Sequence, residues 1–224
     1  MRPVLILAAV LVSTAAMANG EDREVPAFTA VSVSAGIHAT VEIGRRKALH
    51  IEADDAVLPL IVTEVEDGEL KIHYKPNTSM RGDHRVQVSV QTPQLHAVGA
   101  SGGSIVRASF TRTDRSDVEA SGGSEISVRG VDAGKLGLQA SGGSIVRVSG
   151  SADALHLQLS GGSQMHGRDF SARDADVQGS GGSQAELKAT GTIRGALSGG
   201  SQLHVTGGAS TKVATSGGSE VSAD

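Results

Sequence analysis

Four sets of residues in this chain are of types that suit chemistry. Gly99-Ala100-Ser101-Gly102-Gly103 matches the G-x-S-x-G pattern of a nucleophilic serine. That pattern works where a strand turns sharply into a helix and an acid and a histidine follow. Asp114, Asp132, Asp153 and Asp174 recur at similar intervals. Stacked roughly 5 Å apart, they would form a ridge able to bind calcium, or to supply paired acids for polysaccharide chemistry. The histidines are scattered at 38, 50, 73, 84, 96, 156, 166 and 204. Arg81-Gly82-Asp83 is an integrin-type tripeptide, short enough to arise often by chance.

Each set also has a plainer reading. The serine of the G-x-S-x-G match recurs in seven units with no helix after it. A structural corner predicts such repetition and a nucleophile does not. Arg112, Arg115, Lys135 and Arg173 lie near the aspartates and are expected to neutralise them as a mixed-charge solvated loop edge, and the nonapeptide calcium repeat is absent. His166 and His204 share a repeat position but fall two coils apart, about 10 Å, too far to share a zinc ion. No catalytic residue, cofactor or metal site is therefore assigned. The four aspartates stand as the alternative site, for a carbohydrate-active enzyme or a calcium-stabilised module.

The elements that position these residues follow from the repeat. Ser-Gly-Gly-Ser occurs seven times, as Ser101-Gly102-Gly103, Ser121-Gly122-Gly123, Ser141-Gly142-Gly143, Ser160-Gly161-Gly162, Ser180-Gly181-Gly182, Ser198-Gly199-Gly200 and Ser216-Gly217-Gly218, each followed by serine. The steps are 20, 20, 19, 20, 18 and 18 residues, a regularity that a flexible Gly/Ser linker lacks. Before each corner, small or apolar residues such as Val118 and Ala120 alternate with outward ones such as Glu119, Gln139 and Gln158. After it, Val106 and Ala108, or Ile126 and Val128, alternate in the same way. Side chains of a strand point alternately to its two faces, so each unit reads as strand, corner, strand and variable loop, with one buried face. Such a unit buries its apolar face only by stacking on its neighbours. The predicted fold is all-β: a parallel β-solenoid of 18–20-residue coils over residues 100–224, with the corner glycines in a column. Stacked glutamines, Gln139, Gln158, Gln178 and Gln164, Gln184, Gln202, are expected to form ladders. Ile105 and Ile145 are expected to point outward.

Residues 19–99 read as a β-region that caps the stack, the two parts making one continuous domain. Val31, Val33, Ile37, Val41 and Ile43 alternate with polar residues, and Val86, Val88 and Val90 do the same. Ile61 to Tyr74 reads as a hairpin about Asp67-Gly68, a pair suited to a tight turn. Pro59 argues against a helix at Leu58–Val62. Residues 75–84 lack a pattern and read as a loop.

Composition narrows the classes. Residues 1–18 have Arg2, a short apolar run and Ala16-Met17-Ala18, the pattern of a cleaved secretory signal. The run is too short to span a bilayer, and no later segment is apolar enough to do so. The remainder carries 24 acidic and 19 basic residues, too mild an imbalance for nucleic acid. With no cysteine, disulfides are excluded. Aromatics make up only 2% of the chain, which suits a narrow core of Val, Ile, Leu and Ala. The expected location is periplasmic, or extracellular at the cell surface.

The repeated corners, with Phe28-x-x-Val31-x-Val33-Ser34-x-Gly36-Ile37 and the segment from Leu58-Pro59-Leu60 through Asp67-Gly68-Glu69-Leu70, resemble the bacterial head GIN domain family. That family is described as putative autotransporter adhesin, or as a domain of unknown function. The namesake tripeptide is Gly36-Ile37-His38 here, with His in place of Asn. The resemblance spans about residues 26–224. It implies a right-handed β-helix-like fold and an adhesion role, and it brings no catalytic residues. The function expected is therefore a non-enzymatic binding, adhesion-like or scaffold module. Its partner would be an envelope protein or a glycan, as yet unknown.

Overall fold

The computed structural model describes residues 19–78 and 84–224. Residues 1–18, expected to be a secretory signal, and the Arg81-Gly82-Asp83 tripeptide lie outside these residues. The strands are β1 (Asn19–Arg23), β2 (Ala30–Val33), β3 (His38–Ile43), β4 (Leu49–Ala53), β5 (Ile61–Glu66), β6 (Glu69–Tyr74), β7 (Gln87–Thr92), β8 (Ala97–Ala100) and β9 (Ile105–Ser109). They continue as β10 (Thr113–Ala120), β11 (Glu125–Ala140), β12 (Ile145–Leu159), β13 (Gln164–Gly179), β14 (Gln184–Ala189), β15 (Thr192–Leu197), β16 (Gln202–Thr206), β17 (Ser210–Thr215) and β18 (Glu220–Ala223). A three-residue 3-10 turn at Leu58–Leu60 accommodates Pro59 in its first turn.

The chain is a β-solenoid in which matching segments pair in parallel, one coil above the next. Val118 lies between Val98 and Leu138, and Leu157 between Leu138 and Val177. The inward positions form apolar ladders: Ile126, Leu136, Leu138, Val146 and Leu157 are fully buried. In three coils the variable segments expected as loops are instead strand, while a short break remains at residues 110–112. β11, β12 and β13 run from corner to corner over 15 or 16 residues, bending at register shifts such as that between Val128 and Val131. Burial explains it: Val131, Ala133, Ala152, Phe170 and Ala172 keep the inward alternation going past the bend.

Each corner holds two glycines at positive φ, for example Gly161 at 63° and Gly162 at 77°. The first glycine of each corner sits against the one below. A Cβ on Gly161 would meet the Gly142 nitrogen at 3.2 Å, whereas one on Gly162 would meet open space. The fourth residue turns inward: Ser104, Ser124, Ser144, Ser163, Ser183 and Ser201 are all buried. Their hydroxyls are satisfied locally. Ser163 Oγ donates to the carbonyls of Ala140 (2.9 Å) and Ser160 (2.8 Å), and Ser124 Oγ donates to Ala100 (3.0 Å). Replacing Gly161 by valine is expected to cost about 2–3 kcal/mol, because a β-branched residue is strained at positive φ and here also crowds the coil below. Gly162→Val should cost less, since only the backbone strain remains. Melting curves of the two variants check this order.

The amino-terminal third interleaves with the solenoid. β2 pairs with β6 on one edge and β8 on the other, and β3 likewise lies between β7 and β9. Ser34-Ala35-Gly36-Ile37 is thus a further corner, with Ala35 at φ 61° and Gly36 at 79°, stacked against Gly102. Beyond it, β6 is covered by antiparallel β5, and β7 by antiparallel β4, itself paired with β1. The hairpin turns at Asp67 (φ 51°) and Gly68 (φ 80°). Both parallel edges at this end of the stack are so covered, leaving antiparallel β5 and β1 as the outermost strands.

Candidate functional site

Ser101 sits on the corner column with the other six first serines, followed by strand β9 rather than a helix. Its main-chain N–H donates to Val33 O, as Ser121 donates to Ala100 and Ser141 to Ala120. The environment of an activated serine is not built around it.

The four aspartates do not form one ridge. They lie seven, nine, seven and six residues before the next corner serine, and the register follows that count. Asp114 and Asp153 flank the Gly134 position on either side, Asp132 pairs with Ser151, and Asp174 pairs with Ala154. Arginines attend three of them: Arg173 Nε donates to Asp174 (2.9 Å), and Arg173 also lies 3.9 Å from Asp153, while Arg112 is 3.8 Å from Asp132. The Arg173 guanidinium, helped by the Thr192 N–H, holds the Asp174 carboxyl below the usual carboxylate range. That favours the ionised form, the opposite of what a general acid needs. Among the described residues no group of three or more His, Asp or Glu is arranged to hold a metal ion.

His166 and His204 share a column, separated by Glu186. Glu186 accepts from Arg168 (2.8 Å), which lowers its pKa. His204 Nδ1 is 2.9 Å from Ser222 Oγ and its Nε2 is 3.5 Å from Asp224, a series the sequence reading did not single out. Ser222 and Asp224 are exposed on an outward strand face. An activated serine needs a sheltered cradle of donors, which such a face does not supply. Ile105 and Ile145 are half-buried and separated by Glu125, so they make no joint apolar patch.

A trough of about 760 Å³ runs along the solenoid axis beside the corners. Besides the column Ala100, Ala120, Ala140, Leu159 and Gly179, two columns line it. One is the outward residue of the pre-corner strands: Gly99, Glu119, Gln139, Gln158, Gln178 and Ala196, paired in register from coil to coil. The other is the first corner serine, from Ser101 to Ser198. Gln139, Gln158 and Gln178 are paired in register from coil to coil, and Gln158 Nε2 lies 2.8 Å from His156 Nε2. Ser32, Ser34, Lys71 and His73 extend the trough at its amino-terminal end. Lys71 is paired with Glu66 there, and His73 with Glu64 (3.1 Å).

His73 provides a titration at this end. Its Nδ1–H donates to Tyr74 O (2.8 Å) and its Nε2 faces Glu64, so both ring nitrogens meet acceptors and the protonated ring is favoured. The Tyr74 carbonyl is the larger cause of a pKa raised above the ordinary 6.5. A raised folded value gives stability that is fully present below the unfolded value and lost as the pH climbs through the folded one. The melting temperature should therefore decline as the pH rises above about 6.5, and His73→Gln should flatten that part of the profile. The ring is partly exposed, so the effect is expected below about 1 kcal/mol.

Fold and site together define a parallel β-solenoid that carries a trough in which serines and glutamines flank small apolar residues. The chain belongs to the family described as putative auto-transporter adhesin, head GIN domain, whose model matches residues 27–209. Among solved structures it is similar to a putative adhesin from Bacteroides fragilis (TM-score 0.84, 18% identity, covering 92% of this chain and 96% of that one). It is also similar to a putative lipid binding protein from Parabacteroides distasonis (TM-score 0.70, 15% identity, 93% and 97%) and a putative adhesin from Parabacteroides merdae (0.64, 13%, 93% and 96%). At these identities the likeness is one of fold. No curated protein matches the sequence.

Proposed function

We propose that this chain is a non-enzymatic, adhesion-like binding module of the cell envelope, exported by residues 1–18 and acting in the periplasm or at the cell surface. The observation that carries the reading is the trough: a continuous column of hydroxyls and amides held in register by a rigid stack. Its partner is an envelope glycan or protein. Family membership and the adhesin-named neighbours support the same reading. A neighbour named for lipid binding suggests an acyl ligand, but an acyl chain laid on these serines and glutamines would strand their hydrogen-bonding groups at a cost. Catalysis by the four aspartates has no support from their geometry, since they are spread over three columns and three of them are attended by arginines.

The test is fractionation of the producing cells together with binding of labelled, purified protein to envelope sheets from those cells. Expected are recovery outside the cytosol and saturable binding, lost when Gln158→Arg fills the trough. Cytosolic recovery, or sheets that take up no protein, would overturn the reading.

A further inference from the structure

We infer that the trough takes a neutral, linear glycan lying lengthwise along the solenoid, about one sugar to each coil; this rests on the binding role proposed above. The register supplies the direction. Gln139, Gln158 and Gln178 occupy equivalent places on three consecutive coils, beside Ser141, Ser160 and Ser180. Adjacent coils are spaced by about 4.8 Å, close to the advance of one pyranose in an extended chain. These three coils thus repeat the same pair of groups at the pitch of such a polymer.

The chemistry of the pair fits hydroxyl-rich rings. A primary amide offers two donors and an acceptor, and a serine hydroxyl both donates and accepts. Together they can serve neighbouring hydroxyls of one sugar without any charge. Between Gly99 and Ala196 the only ionised side chain on the floor is Glu119, which disfavours acidic polymers. Lys71, at the far end, is already held by Glu66.

An extended peptide fits less well. Peptides usually join a sheet through main-chain pairing at an edge. Here the main-chain groups of the flooring strands are spent in the ladders between coils, with β11, β12 and β13 each paired on both sides. The trough therefore presents side chains only. With no aromatic ring on it to stack against a sugar, each coil contributes weakly, and useful affinity needs several coils at once.

Envelope sheets of the producing cells are digested exhaustively with protease. The released carbohydrate is divided by anion exchange into neutral and acidic pools, and the peptides are kept as a third. Each pool then competes with intact sheets for the labelled full-length protein. The expected result is displacement by the neutral pool, with fragments shorter than three sugars at least tenfold weaker. The Gln139→Ala/Gln158→Ala/Gln178→Ala variant should bind on the order of 30-fold more weakly, from three lost hydrogen-bonding side chains. These residues are outward, so its melting temperature should match that of the parent chain. Displacement by the acidic or peptide pool alone, or a triple variant that binds normally, would overturn the glycan while leaving the adhesion role intact. Sheets that bind no protein at all would remove that role itself.

Discussion

Gly195→Ala is expected to loosen the carboxy-terminal coils and to lower stability by about 3 kcal/mol or more. Gly195 lies at a position where the other coils place Val98, Val118, Leu138, Leu157, Val177 and Val213. Its φ is 145°, a conformation that side chains rarely adopt. A Cβ there would intrude on the carbonyl oxygen of Val177, which is strand backbone and cannot turn aside. Relief requires β15 to move away from β13, which breaks the ladder between Ala175–Gly179 and Ile193–Leu197. Solenoid coils contact only their neighbours, so damage should be local at first. Limited proteolysis and hydrogen exchange should locate new opening in β15 to β18, with β10 to β12 still protected. A variant with unchanged exchange in β15 would contradict this account of the close approach.

Leu157→Ala should cost a similar amount, about 2–5 kcal/mol, through a cavity rather than through strain. Leu157 is fully buried and stacked between Leu138 and Val177. The rigid ladders above and below limit how far the site can collapse onto the missing atoms. The neighbouring Gln158→Ala change, on the opposite face of the same strand, should stay within about 0.5 kcal/mol. Urea melts of the pair make a sharp comparison. A one-residue slip in register would exchange the two outcomes, because it exchanges the faces.

These contrasts bear on how much of the molecule the sequence disclosed. The stacking was legible because Ser-Gly-Gly-Ser names the corner outright, and alternation about it assigns faces, as for Leu157 and Gln158. The corner at Ala35-Gly36 was not legible as such. It has one glycine and no flanking repeat, and Ala35 adopts a conformation that an alanine does not advertise. The placement of β2 and β3 between β6–β7 and β8–β9 was hidden for another reason: alternation tells which face is buried, not which strand lies alongside. Continuous strand in the variable segments went unseen because Gly130 and Gly150 interrupt the pattern at the bends, although Val131 and Phe170 continue it inward. For the aspartates, similar spacing suggested a ridge, but ladders are set by distance from the corner, and those distances differ. The glutamines share one distance and do align. The trough needs tertiary structure to appear, yet its lining residues were already in the predicted columns.

The wedged position of β2 and β3 has a mechanical consequence. A simple solenoid pulled by its amino end can unwind like thread from a spool, one loop at a time. In this chain a pull first strips β1 from β4, its one partner, and then meets β2 and β3, gripped from both sides by β6 and β8 and by β7 and β9. Those four partners must let go together before anything beyond β1 is paid out. Force applied there is shared across two neighbouring layers at once, so the amino end should resist tension far better than a simple first coil would.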